Sequence, residues 1–182
     1  MNLPAIPKKE STDVCFLGNQ NLKEYLSEHT KFSAGDIVTT DNKKIGTHDG
    51  LPFYTIGQRQ GINIGGTGPY YVVAKNPTTN QLIVTNKKND PALFTKKIIL
   101  KNIHWISENM PKLPLKCFAH HRYQSSLSPV TITKKENNFE ITFKTPERAI
   151  APGQSLVLYK PLHKLFNRNH QILGGGIIEN NQ

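Results

Sequence analysis

The sequence predicts a mainly β protein with one helix near its N-terminus, and three observations carry that prediction. Short runs of β-branched, aromatic and alternating apolar residues recur along most of the chain, each bounded by glycine, proline, asparagine or aspartate. One stretch, residues 19–29, carries apolar residues at helical spacing. Strands this short and this regularly spaced suit a closed barrel or a sandwich rather than a parallel sheet.

Each element follows from local sequence. Residues 1–18 read as irregular, with Pro4 and Pro7 ahead of a polar cluster. In residues 19–29, Leu22, Tyr25 and Leu26 fall at i, i+3 and i+4 and form one apolar face. Asn21 with Glu24 resembles a capping box, and His29 lies in the last turn. Residues 37–40 lead into a polar DNKK turn. PFYTIG (52–57) and YYVVAK (70–75) are rich in strand formers, and NPTTN (76–80) turns the chain into QLIVTN (81–86), a hairpin. DPALF (90–94) reads as one short helical turn. Further strands are expected in KIILKNIHWI (97–106), LKCFAHHRY (115–123), VTITKK (130–135), NFEITFK (138–144), QSLVLY (154–159) and GGGIIE (174–179), with KKENN (134–138) turning a second hairpin. A proline-rich join covers residues 106–116, but the strand run from Ile98 marks the start of a second unit. This gives a helix-bearing segment at 1–32, a small central β domain at 33–97 and a C-terminal β domain at 98–182.

Composition narrows the function classes. The 182 residues suffice for one ordinary domain or two small ones, and 36% hydrophobic content is adequate for a core. No apolar run is long enough for a membrane span, and the N-terminus lacks the apolar segment of a signal peptide, so a soluble, cytoplasmic protein is expected with no membrane partner. Two cysteines, Cys15 and Cys117, are too few for a disulfide framework. Lys and Arg number 23 against 13 Asp and Glu, a net charge of +10 that favours a polyanionic partner.

Several stretches invite a chemical reading. TIGQRQGINIGGTGPYY (55–71) is glycine-rich but has no GK[ST] and no following helix, so it is neither a Walker loop nor a dinucleotide fingerprint. Its glycines suit tight turns and close backbone approach. The seven histidines make no zinc pattern. His120 and His121 are adjacent on a strand and face opposite ways, and His48 and His104 stand alone, so no metal site is expected. HHRYQ (120–124) combines cations with an aromatic ring, which suits phosphate and base contacts as well as a plain strand end. APGQS (151–155) is a Pro-Gly turn whose Gln154 can donate to and accept from a base or ribose. KPLHKLFNRNHQ (160–171) is a basic loop between the last two strands. Cys15 sits between opposing influences. Lys8, Lys9, Lys23 and the helix start favour a thiolate, whereas Val14, Phe16 and Leu17 favour a packed thiol. Cys117, within a strand, reads as structural.

Taken in order, KKESTDVCFLGNQNLKEYL, GTHDGLPFYTIGQRQGINIGG, YYVVAKN, HRYQ, APGQS and LGGGIIE resemble the central and C-terminal parts of tRNA-specific 2-thiouridylases of the MnmA type. The resemblance spans nearly the whole chain. The SGGxDS phosphate loop and the first cysteine of that family's N-terminal ATP-pyrophosphatase domain do not occur in these residues. The resemblance implies a fold with a small central β domain followed by a C-terminal six-stranded antiparallel β-barrel. It implies an enzyme that activates the C2 oxygen of a tRNA wobble uridine with ATP and Mg²⁺, then replaces it with sulfur. Cys15 falls on the cysteine that carries the persulfide, delivered by a cysteine desulfurase or a sulfur-relay donor protein. Arg122, Tyr123 and Gln154 fall on tRNA-contacting positions. ATP and Mg²⁺ belong to the N-terminal domain, so this chain is expected to bind no cofactor itself and to be inactive without that partner. The alternative expectation is a non-catalytic RNA-binding β module.

Overall fold

The computed structural model describes residues 22–59, 61, 62, 64, 68–107, 109–122, 126–160 and 171–179. Its one α-helix, α1 (Leu22–His29), is the predicted one. Residues 19–21, and with them the expected cap at Asn21, lie outside the described residues. Tyr25 and Leu26 are half-buried, and His29 stacks on Tyr25 with ring centroids 4.4 Å apart. His29 Nδ1 also lies 2.8 Å from the Tyr25 carbonyl oxygen, which ties down the last turn. No helix among the described residues is long and apolar enough to cross a membrane.

A four-stranded sheet follows, built from β1 (Gly35–Thr39), β2 (Lys44–His48), β3 (Tyr71–Asn76) and β4 (Gln81–Thr85) in the order β2-β1-β4-β3. β1–β2 and β3–β4 are antiparallel, whereas β1 and β4 pair in parallel. The β3–β4 hairpin turns where predicted. Asn76 Oδ1 accepts from the backbone N–H groups of Thr78 and Thr79, and Asn80 takes φ 50°. Ile37, Val72, Leu82 and Val84 are fully buried on one face beside Tyr54 and Tyr70. His48 is buried too, with Nε2 3.1 Å from the Asn80 carbonyl oxygen and its ring edge-on to Tyr54. It is a structural histidine.

The stretch PFYTIG departs from the strand expected of it. Residues Leu51–Phe53 form a 3-10 turn, because Pro52 fixes φ and has no N–H to offer a ladder. The chain still docks on the edge of β3 just beyond: Gly57 N donates to Val72 O at 2.7 Å, and Val72 N donates to Gln58 O at 3.0 Å. A second 3-10 turn, Pro91–Leu93, matches the prediction from DPALF. Asp90 caps it, accepting from Ala92 N at 3.0 Å and from Thr85 Oγ1 at 2.6 Å.

That turn ends at Leu93, so the second unit's first strand starts at Phe94. β5 (Phe94–Trp105), β6 (Leu115–His120), β7 (Ser128–Lys135), β8 (Asn138–Arg148), β9 (Ser155–Tyr159) and β10 (Ile172–Ile178) close a barrel in the order β10-β5-β8-β7-β6-β9. Every pairing in it is antiparallel. Alternate residues point inward: Ile98 and Leu100 from β5, Ile141 and Phe143 from β8, Leu156 and Leu158 from β9 are at most 1% exposed. Each such side chain contributes roughly 1.5–3 kcal/mol of transfer free energy. Glycines permit closure at β10. A Cβ on Gly174 would lie 2.3 Å from the His104 carbonyl oxygen, and one on Gly175 would lie 2.8 Å from that of Leu156.

Candidate nucleic-acid interface

The stretch from Glu147 to Gln154 links two of the predicted site residues, Arg122 and Gln154. It leaves β8 at Arg148 and immediately turns left-handed: Ala149 has φ 55° and Gly153 φ 83°. Pro152 and Gly153 form the predicted turn, closed by Gln154 N donating to Ala151 O at 3.4 Å. The turn is pinned to β10 on both sides, because Gly153 N donates to Ile178 O and Ile178 N to Gln154 O, each at 2.8 Å. The Gln154 Oε1 atom is buried and has no hydrogen-bond partner. A buried orphan acceptor is costly, which makes this atom unusual in an otherwise well-bonded turn.

Arg122 reaches the same segment from the end of β6. Its Nη2 donates to the Ala149 carbonyl oxygen at 2.9 Å. His121 beside it is buried, with Nδ1 unpartnered. Burial lowers the His121 pKa, and the nearby Arg122 and His120 act in the same direction, while Glu147 opposes them. Glu147 itself accepts from Ser128 Oγ at 2.5 Å, holding the start of β7 to the end of β8. His120 is the last residue of β6 and packs edge-on to Tyr159, while His121 lies just past the strand's end, so the two are not neighbours on one strand as expected.

The same segment is also the seam between the two sheets. Ala149 N donates to Leu93 O at 2.7 Å, and the Arg148 guanidinium lies 5.1 Å from the centre of the Tyr71 ring. A Cβ on Gly57 would stand 2.2 Å from Ala149 Cβ and 3.5 Å from Arg122 Nη2, so the central unit touches the barrel where the arginine is anchored. Beside the seam an open cleft of about 1030 Å³ separates the two units, and Gln154 lines it. The structure thus ties Arg122 to the segment that carries Gln154. Cys15 and Tyr123 lie outside the described residues, as do residues 161–170 of the basic loop. The ends of that loop are tied by Lys160 N donating to Gln171 O at 2.9 Å.

Cys117 is confined to the barrel interior, 3% exposed and unbridged, and burial pushes its thiol pKa up to about 12. Among the described residues no group of three or more His, Cys, Asp or Glu side chains is arranged to hold a metal ion.

Sequence reasoning passed over three residues of this region. Lys75, near the end of β3, donates its Nζ to the Tyr54 carbonyl oxygen at 2.9 Å, and partial burial lowers its pKa. Phe94 is exposed on the cleft wall. Ala149 carried no sequence signal for its left-handed backbone, since alanine does not favour it.

Comparison with known proteins matches the two units separately. Residues 23–86 match the family described as tRNA methyl transferase PRC-barrel domain, and residues 95–178 the aminomethyltransferase beta-barrel domain. The chain is 40% identical over 188 residues to the tRNA-specific 2-thiouridylase MnmA of Blochmanniella floridana, covering 98% of this chain and 48% of the relative. It is 40% identical to the enzyme of that name from Legionella pneumophila strain Lens, over 94% of this chain and 47% of the relative. Against that of Pseudomonas fluorescens it is 37% identical over 98% of this chain and 46% of the relative. The chain spans about half the length of the curated relatives it matches.

Proposed function

Because this chain belongs to the tRNA-specific 2-thiouridylase family through its central and C-terminal domains, we propose that it forms the sulfur-delivering and tRNA-holding part of such an enzyme. The observation that carries the proposal is the 40% identity sustained along 98% of the chain, with both domain families in order. The net charge of +10 supports a polyanionic substrate, and the common anchoring of Arg122 and Gln154 supports a shared contact surface.

In this reading Cys15 carries the persulfide. Its terminal sulfur adds to C2 of the activated wobble uridine, the bond from C2 to the adenylated oxygen breaks, and AMP departs with that oxygen. A second thiolate then attacks Cys15 Sγ, forming a disulfide with it as the persulfide sulfur–sulfur bond breaks, and the outer sulfur stays on C2 as the thiocarbonyl of 2-thiouridine. Cys117 is unsuited to that step, being enclosed in the barrel and held as the neutral thiol. The second thiol, together with the ATP and Mg²⁺ chemistry, is assigned to an ATP-pyrophosphatase domain of the family's kind. Arg122, Tyr123 and Gln154 grip the tRNA, with Arg122 presented by its bond to the Ala149 carbonyl oxygen. Holding the substrate by several fixed contacts is what lets one base meet one sulfur atom.

The test combines the chain with a cysteine desulfurase, a relay donor and a separately supplied ATP-pyrophosphatase domain, and probes for persulfide. Labelling of the wild-type chain, lost in Cys15→Ser, is the expected result. No persulfide on Cys15 beside intact tRNA binding would instead mark a non-catalytic RNA-binding module. Thiolation of tRNA by the purified chain with nothing added would overturn the assignment of activation to another domain.

A further inference from the structure

Three side chains of the interdomain cleft have no role in the account so far, apart from the general tRNA contact given to Gln154. Phe94 opens β5 and leaves 36% of its surface in solvent on the cleft wall. Gln154 lines the same cleft with a buried terminal oxygen that nothing in the protein satisfies. Lys75 lines it from the side of the central sheet, its amine drawn partly out of water beside the Tyr54 carbonyl oxygen. An exposed ring, an unsatisfied acceptor and a part-buried cation with donors to spare line one cleft, and one kind of occupant suits all three. It must be flat and apolar on its faces, carry N–H donors and a keto oxygen on its edge, and tolerate a strongly basic surrounding.

We infer that this cleft takes an unpaired nucleotide of the RNA substrate, its base stacked on Phe94, its hydrogen-bonding edge toward Gln154 and a keto oxygen toward Lys75. The inference rests on the proposed tRNA reading and names the part of the substrate that the cleft binds. Stacking on an aromatic side chain is how proteins hold splayed bases, and it is independent of phosphate neutralisation. The volume of about 1030 Å³ accommodates a nucleotide with its ribose. Gln154 Oε1 accepts and the Lys75 ammonium donates, so a base that presents a ring N–H beside a keto oxygen, as uracil and guanine do, fits better than adenine or cytosine, which have no such ring N–H.

The full chain is titrated with a fluorescent RNA stem-loop and with the same stem closed as a blunt duplex. Phe94→Leu keeps the side chain's bulk and apolar character, and it should weaken stem-loop binding about tenfold. Duplex binding should stay within about twofold of wild type, and the salt dependence of stem-loop binding should keep its slope, because no phosphate contact is lost. Gln154→Ala should erase the preference for uracil or guanine over adenine at the unpaired position. Thermal melting of each variant establishes that it is folded. If both variants bind both RNAs as wild type does, or lose both RNAs equally, the inference is overturned while the tRNA reading stands. Absence of all RNA binding overturns both. Self-association of the wild type that Phe94→Leu abolishes would assign the cleft to a second copy of the chain and likewise overturn the inference.

Discussion

Replacing Gly57 by alanine tests the seam that supports the proposed interface. The new Cβ would sit 2.2 Å from Ala149 Cβ, where non-bonded carbons rest at about 3.5–4.0 Å. The overlap is therefore about 1.3 Å or more, between two atoms fixed directly to backbone, so no side-chain rotation can relieve it. Overpacking of this kind costs about 1–3 kcal/mol. Gly57 also has φ 82°, where an L-residue adds roughly 1–2 kcal/mol. The two together predict a loss of about 2–5 kcal/mol. For a chain of this size each kcal/mol lowers the melting temperature by roughly 2–4 °C. Calorimetry or circular dichroism of Gly57→Ala should therefore show a fall of about 4 °C at the least. The control is Ala149→Gly. It removes the opposing Cβ, and the nearest remaining Ala149 atom, Cα, stands 3.6 Å away at ordinary contact distance. The double variant should recover the overlap part of the loss and leave the backbone part, giving a coupling energy of about 1–3 kcal/mol in the cycle. A single variant within about 0.5 kcal/mol of wild type, or a strictly additive cycle, would refute the close seam.

Two further predictions concern titratable groups. Burial holds the His121 pKa below its unfolded value of 6.5, so the unfolded chain binds the extra proton first. Its contribution to stability is complete above pH 6.5 and declines as pH falls from there toward the lowered folded value. Urea unfolding of wild type and His121→Gln from pH 8 to pH 5 should show the gap between them changing in that window, and a constant gap would contradict a buried neutral ring. With a thiol pKa near 12, Cys117 carries roughly one thiolate in ten thousand molecules at pH 8. In folded Cys15→Ser, iodoacetamide should therefore label Cys117 about a thousandfold more slowly than it labels a free cysteine, with ordinary reactivity returning in denaturant. Rapid labelling of the native protein would show that the barrel interior is open to reagent.

Much of the fold was written in local sequence. Alternation exposed β8 and β9, NPTTN fixed one hairpin, and Asp90 ahead of Pro91 announced a short helical turn. Where local reasoning misled, a specific force intervened. PFYTIG has strand-forming residues, but Pro52 cannot donate to a ladder, and Gly57 bends away to meet Ala149. The parallel pairing of β1 with β4 joins segments more than forty residues apart, a contact that no window of sequence reveals. The site was legible in pieces. APGQS displays its turn, and HHRYQ its cations and ring, but nothing in either stretch shows that they meet at Ala149. Phe94 read as the end of a helical turn, and only the closing of the barrel leaves its ring on a cleft wall.

In the proposed reading, that meeting point makes RNA binding and stability depend on one short segment. Arg122 lies at the end of a strand, where an arginine would ordinarily sample many rotamers. Its bond to the Ala149 carbonyl oxygen removes part of that freedom before any RNA arrives. The carbonyl is available because Ala149 takes a left-handed backbone, and that conformation is held by Leu93 O on one side and Gly57 on the other. The unfavourable backbone at Ala149 is thus offset by contacts from both domains, so anything that loosens the seam also frees the arginine. A binding surface built in this way loses affinity through mutations that never touch the ligand. It follows that Gly57→Ala and Phe94→Leu should both weaken RNA binding but differ in kind. The first acts with a loss of stability and on duplex and stem-loop alike, the second with stability preserved and on unpaired RNA alone.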